Sequence, residues 1–261
     1  MPIITLTTDF GLRDNFVGVM KGVILGLNPQ AAIVDLGHEV PAHDPAAAAF
    51  LVHTARPYFP EGTIHVVVVD PGVGSDRALL AARAFGQVFL APDNGVLSYV
   101  LEAAPSSVIR ELTNTALRLP EISRTFHGRD ILAPAAAHLS LGVPFEDLGP
   151  ETRDFMRLPS LEAHLDQDRI VGQVVYVDRF GNLVTNIPAR QVEARAGRGL
   201  TITAAHIFLV GLAEAYSDVK PGQWVAVAGS SGFIEIARYL RRADTPPTLT
   251  LGTQVILEFQ R

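Results

Sequence analysis

Hydrophobic and polar positions along the first 150 residues alternate between two periods. IITLTTDF (residues 3–10), AAIVDLG (31–37) and TIHVVVVD (63–70) are short apolar runs rich in β-branched residues, and each predicts a strand. Between them, NFVGVMKGVILGL (15–27) and DPAAAAFLVHTARPYF (44–59) carry apolar residues at helical spacing. QVFLAPDNG (87–95) predicts a further strand ending in a turn, and GVLSYVLEAA (95–104) a helix. Runs in this order predict a layered α/β domain whose apolar strands are covered on both faces.

The pattern lapses from about residue 151 into the polar, proline-containing ETRDFMRLPSLEAHLDQD. Beyond it, IVGQVVYVD, LVTNI, LTITAAHIFLV, QWVAVAG, FIEIARYL and QVILEF follow at close spacing with glycine turns. That rhythm predicts a smaller all-β, barrel-like domain. The expected division is an α/β domain over 1–155, a linker over 156–169 and a barrel over 170–261.

Composition narrows the chemistry. The 261 residues contain no cysteine, which excludes disulfides, thiolate nucleophiles and Cys-ligated metals. A net charge of −6 argues against a broad nucleic-acid surface. No apolar run approaches the roughly 20 residues of a bilayer span. The opening MPIITLTTDFG lacks the basic segment of a secretory leader, so the expected location is cytoplasmic.

Ligands gather at the carboxyl ends of strands in such sheets. TTDFG, VVDPG and APDNG place Asp9, Asp70 and Asp93 at that edge. A carboxylate at the end of an apolar strand is costly unless something holds or uses it. Arg77, seven residues beyond Asp70 and past a Pro-Gly-x-Gly turn, is a candidate partner, either as a loop-fixing ion pair or as catalytic machinery. His127, in RTFHGRD, gains catalytic weight only if the fold carries it to Asp70 and Arg77. Arg129 and Asp130 fit a cap or ion pair at a helix start. DFG and HGRD occur in the wrong order for a protein kinase, and no glycine-rich phosphate loop precedes them. His38, His43, Asp44, Asp9 and Asp14 match no recognised metal-ligand spacing, so no metal is expected. DRFGNLVTNI (178–187) places Asp178, Asn182 and Asn186 in one hairpin, and GSSGFIEIAR (229–238) offers two serines between glycines.

Taken together, TTDFGLRDNFVG, VVDPGVGSDR, APDNGVL, TFHGRD, DRFGNLVTNI and GSSGFIEIAR resemble the S-adenosylmethionine (SAM) hydrolases. These are also called SAM hydroxide adenosyltransferases and are related to fluorinase and chlorinase. The resemblance implies an amino-terminal α/β domain, a carboxy-terminal β-barrel and a homotrimer that binds SAM between subunits. It implies an Asp70–Arg77–His127 trio acting on water. The halogenating branch has a tyrosine at the place of Asp70 and a halide-binding threonine nearby, and this chain has neither. It further implies Asp9 on the ribose hydroxyls, Asn182 on the adenine edge, Tyr216 stacked on the purine and Glu235 reaching the adenine amine. Asp14 and Asp178 would meet the methionine ammonium, with Ser230 and Ser231 at its carboxylate and Arg238 close to the ligand. Ser231 replaces a fluorinase arginine, and His43 stands at a fluorinase tryptophan. SAM is then the substrate and no cofactor is required. The alternatives are a SAM or adenosine sensor with little catalysis, a halogenase-like nucleophile transfer, and a metal-dependent phosphohydrolase.

Overall fold

The computed structural model describes residues 2–195, 197–245 and 249–260. The chain divides into two compact units, 1–160 and 161–261. In the first, six strands form one sheet. They are β1 (Ile3–Thr8), β2 (Ala32–Gly37), β3 (Ile64–Val68), β4 (Leu79–Ala84), β5 (Gln87–Pro92) and β6 (Val108–Glu111), in the order β2-β1-β3-β5-β4-β6. β2, β1, β3 and β5 run parallel, whereas β4 and β6 pair antiparallel.

Val66, Val67, Val68 and Val69 are each at most 3% exposed, because β3 lies at the sheet centre and is covered on both faces. Burial of each such side chain stabilises the fold by about 1.5–3 kcal/mol. Helix α1 (Phe16–Leu27) turns Val17, Met20 and Ile24, at helical spacing, into that core. Helix α2 (Pro45–Ala55) begins where the Asp44 carboxylate accepts the Ala46 and Ala47 amides at 3.0 Å, with Pro45 in its first turn. Helix α3 (Ser98–Glu102) is shorter than the apolar run predicted.

β4 and β6 were not apparent from the hydrophobic pattern. β4 is LLAARA, whose small residues carry neither period strongly, and β6 has only four residues. After β6 the chain makes one wide helical turn over Gly128–Leu132 and continues as α4 (Ala133–Ser140). Residues beyond 151 still pack within the first unit, since Ser98 Oγ accepts the Leu158 amide at 2.8 Å.

The second unit is an antiparallel sheet. Its elements are β7 (His164–Leu165), β8 (Arg169–Val177), β9 (Leu183–Pro188), the short helix α5 (Ala189–Glu193), β10 (Leu200–Ala204), β11 (Ile207–Val210), β12 (Trp224–Ala228), β13 (Phe233–Arg238) and β14 (Gln254–Phe259). The main order is β11-β10-β14-β8-β9-β13-β12, with β7 on β8. A bridge between Ala213, just past β11, and Val227 on β12 brings the two edges together in a nearly closed barrel. LTITAAHIFLV is two strands rather than one run: Ala205 adopts φ +50° and the chain turns back there. Among the described residues, no helix is long and apolar enough to cross a membrane.

Candidate active site

Strand β3 ends at Val68, and two residues later Asp70 opens the turn that returns to Arg77. The guanidinium grips the carboxylate through two bonds. Arg77 Nε donates to Asp70 Oδ1 at 2.7 Å, and Nη2 donates to Oδ2. Nη2 also lies 3.0 Å from His127 Nδ1. The Asp70 and Arg77 side chains are 7% and 9% exposed, so the pair is well shielded from water. Its two-pronged geometry offsets much of the desolvation cost.

Arginine can only donate, so His127 Nδ1 accepts and the ring proton of the neutral imidazole resides on Nε2. Burial depresses the His127 pKa, and the Arg77 charge depresses it further, against the opposing pull of Asp70 and Asp130. The ring is therefore neutral at neutral pH.

Two glycines permit this convergence by letting the chain pass close to itself. Gly74 has φ +82°, and a Cβ there would stand 2.5 Å from the Arg124 carbonyl oxygen. A Cβ on Gly128 would meet Val68 Cγ1 at 2.8 Å. Close backbone approach, which only glycine allows, joins the Asp70 turn to the His127 turn.

A cavity of about 330 Å³ opens beside these groups, lined by Asp9, Asp70, His127, His43, Val68 and the aromatic pair Phe10 and Phe16, among others. This is at the lower end of the 300–1,000 Å³ typical of small-molecule sites. Phe10, Phe16 and Phe126 pack with ring centroids 5.4–5.5 Å apart and make one wall apolar. Asp9 Oδ2 accepts the His43 amide at 2.9 Å. His43 holds φ +63°, a costly conformation for a non-glycine residue. Asp14 lies exposed in the bend before α1 and does not line this cavity. Asp93 is turned elsewhere, with Oδ1 accepting the Met156 amide at 2.8 Å. A larger hollow of about 640 Å³ along residues 151–160 contains none of the predicted site residues.

In the second unit, Asn182, Tyr216 and Arg238 line a cavity of about 460 Å³ with Phe180 and Leu240. Asp178 Oδ1 accepts the Phe180 and Asn182 amides at 2.8 Å, and Oδ2 accepts Asn182 Nδ2 at 2.9 Å. The aspartate thus holds the hairpin and aims the Asn182 amide. Tyr216 donates to Glu235 Oε2 at 2.5 Å. Burial raises the pKa of Glu235 despite that bond, and burial followed by Glu235 keeps the Tyr216 phenol protonated. A Cβ on Gly229 would fall 1.9 Å from Glu235 Oε1 and force that carboxyl to move. Arg238 packs 5.4 Å from the Trp224 ring and donates to the Gly222 carbonyl at 3.2 Å. Ser230 and Ser231 sit in the 229–232 turn and line neither cavity, and Ser231 Oγ is buried without a hydrogen-bond partner.

Residues 4–149 match the SAM hydroxide adenosyltransferase N-terminal domain, and residues 172–256 match the corresponding C-terminal domain. The chain belongs to the SAM hydroxide adenosyltransferase family. It is similar to the (R)-S-adenosyl-L-methionine hydrolase of Salinispora arenicola, at 36% identity over 97% of each chain. It is also similar to the Thermus thermophilus enzyme of the same name, at 37% identity over 88% of this chain and 89% of that one. The fluorinase of Nocardia brasiliensis is 28% identical over 97% of this chain and 96% of that one. Among solved structures, an uncharacterized conserved protein from Thermotoga maritima superposes with a TM-score of 0.90 at 35% identity, covering 99% of this chain and 100% of the other.

Two residues outside the trio hold its turns in place. Asn94 Nδ2 donates to the Val69 carbonyl at 2.7 Å and fixes the peptide leading into Asp70. Asp130, fully buried, accepts the Ser123 amide at 2.8 Å and Arg129 Nε at 2.6 Å, tying down the turn that carries His127. The Arg129–Asp130 ion pair itself matches expectation. Among the described residues, no group of three or more His, Cys, Asp or Glu side chains could hold a metal ion. Of the residues weighed as ligands, Asp44 caps α2, and His38 Nδ1 lies 2.9 Å from Thr8 Oγ1.

Proposed function

We propose that this protein hydrolyses SAM to adenosine and L-methionine, using Asp70, Arg77 and His127 to direct a water molecule at the ribose 5′ carbon. The observation that carries this reading is the contact of those three side chains at the edge of the 330 Å³ cavity.

The water oxygen forms a bond to C5′ while the C5′–S bond breaks and its electron pair passes to sulfur. Sulfonium becomes a neutral thioether, and the water proton leaves through Asp70 to solvent. The leaving group needs neither acid nor metal, so the burden falls on the nucleophile. With Nδ1 engaged by Arg77, His127 presents Nε2–H and donates to the attacking oxygen rather than taking its proton. Each Asp70 oxygen keeps lone-pair capacity beyond its arginine bond and can accept that proton. Attack of a hydroxide-like oxygen on a cation cancels charge, and the apolar wall of Phe10, Phe16 and Phe126 favours such a step by lowering the local dielectric.

In this reading Asp9 binds the ribose hydroxyls, while Asn182, Tyr216 and Glu235 read the adenine. Asp14 and Asp178 hold the methionine ammonium, Ser230 and Ser231 its carboxylate, and Arg238 adds positive charge close by. Family resemblance supports a homotrimer with SAM bound between the first domain of one subunit and the second domain of a neighbour. Light scattering tests the assembly.

Incubating the purified protein with SAM and separating the products by chromatography tests the reaction. Equal amounts of adenosine and methionine, formed at a rate unaffected by a strong chelator, are the expected result. SAM bound but unconsumed would instead identify a sensor. Loss of activity with the chelator would return the acidic strand ends to a metal-dependent role.

A further inference from the structure

Strand β1 delivers Asp9 to the cavity, and its neighbour β2 contains a register slip at that end. Leu6 pairs with Asp35, but Thr7 pairs with Gly37, so Leu36 is an extra residue in the ladder. In a regular strand, residues three apart point to opposite faces. The slip lets Asp35 and His38 meet: His38 Nε2 lies 3.0 Å from Asp35 Oδ1, and Asp35 Oδ2 accepts Lys21 Nζ at 2.6 Å. On its other side, His38 Nδ1 lies 2.9 Å from Thr8 Oγ1. Burial disfavours the charged form of Asp35, yet Lys21 and then His38 outweigh it and leave the carboxyl below its ordinary pKa.

His38 and Thr8 are 4% and 0% exposed, and burying such polar groups is costly unless their bonds are made. Nε2 lies within ion-pair distance of Asp35 but makes no hydrogen bond, so the bond that holds the ring is the one between Nδ1 and the Thr8 hydroxyl. Thr8 Oγ1 then accepts the Phe10 amide at 3.3 Å. The His38 carbonyl accepts the Gly11 amide at 2.7 Å, Thr8 O accepts the Val40 amide at 3.4 Å, and the His43 amide reaches Asp9 Oδ2 at 2.9 Å. Each of these four bonds lands on residues 8–11, the turn that presents Asp9.

We propose that Lys21, Asp35, His38 and Thr8 form a contact chain that positions Asp9 for the ribose, with His38 and Thr8 as its working members. This rests on the reading of Asp9 as a nucleoside-binding group. It assigns the chain, buried at His38 and Thr8, to substrate geometry rather than to strand pairing alone.

A double-mutant cycle tests it, read both as adenosine affinity by calorimetry and as KM and kcat with SAM. Thr8→Val keeps the shape and removes the hydroxyl, and it should weaken adenosine binding and raise KM by about tenfold with kcat changed far less. Asp9→Ala should do at least as much, and the double variant should match Asp9→Ala alone. His38→Leu should reproduce Thr8→Val. His38→Asn, which retains a polar atom near the Nδ1 position, should recover most of the loss and supplies the result should Thr8→Val fail to fold. A Thr8→Val penalty that persists in full without Asp9, or unchanged affinity in both Thr8→Val and His38→Leu, overturns the proposal. A parent protein that binds adenosine and shows this cycle without consuming SAM would leave the positioning chain standing and remove the hydrolysis reading. A parent that binds no adenosine would remove both.

Discussion

The two polar clusters differ in how far each is completed by its own domain. In the first unit, Asp70, Arg77 and His127 hold one another at 2.7–3.0 Å, and Asn94, Asp130, Gly74 and Gly128 fix the turns that carry them. In the second, Asn182 is aimed by Asp178 and Tyr216 is tied to Glu235, but the surrounding rim is apolar and exposed. Phe180 and Leu240 are 76% and 72% exposed. One cluster is held rigidly by its own bonds, and in the proposed reading it serves charge and proton placement, which is where a transition state gains most. The other presents aromatic faces and a directed amide group, and in the proposed reading its contribution is made in binding. The division predicts that mutations in the first act on turnover and mutations in the second on affinity.

Arg77→Ala is the most severe test of that division. It should lower kcat for adenosine formation by about 100-fold or more, with SAM affinity by calorimetry within a few-fold of the parent. It also strands the buried Asp70 carboxylate, at a cost of about 3–5 kcal/mol in stability by urea unfolding. A variant that binds poorly and turns over normally would place Arg77 in recognition. In the second cluster, Tyr216→Phe removes the bond to Glu235 and should raise KM about tenfold while leaving kcat close to the parent value. A fall in kcat without a change in KM would break the comparison.

Acidity separates the clusters further. His127 has its pKa lowered by burial and then by Arg77, so turnover should persist below pH 6.5 and fall only as the ring finally protonates. Protonation removes the Nδ1 acceptor and sets two cations side by side. An acid limb in the kcat profile at or above pH 6.5 would contradict the arrangement. The smallest effect concerns stability away from both clusters. His65 is fully buried, stacked 4.7 Å from Phe89, with its pKa pushed down to about 4 by burial. A folded-state pKa below the unfolded value of 6.5 means this contribution is intact above pH 6.5 and is lost as pH falls toward 4. The loss amounts to roughly 3 kcal/mol across that window. His65→Phe should flatten the decline in melting temperature over the same range, and an unchanged slope would contradict it.

How much was legible in the sequence follows the same physics. The valine strand and the helix spacing of Val17, Met20 and Ile24 could be read directly, because burial selects apolar residues in a fixed period. The antiparallel strands over Leu79–Ala84 and Val108–Glu111 could not, since alanine-rich or very short segments carry little period. Asp70 and Arg77 were visible as a pair, but half their meaning depended on His127, fifty residues away, which only the fold could bring there. His38 was weighed as a metal ligand. Its true partners come from a one-residue register slip, which leaves no mark in the local pattern. The need for glycine at position 74 could not be read locally either, since it comes from the Arg124 carbonyl, fifty residues along the chain.

The most direct measurement of the central claim is SAM turnover in water enriched in heavy oxygen, with the adenosine analysed by mass spectrometry. Attack of solvent at C5′ under Asp70, Arg77 and His127 predicts one heavy oxygen at the 5′ position of every adenosine formed in a single turnover. It also predicts that Arg77→Ala slows the appearance of that label to a small fraction of the parent rate. Unlabelled adenosine, or label appearing equally fast without Arg77, would contradict the account.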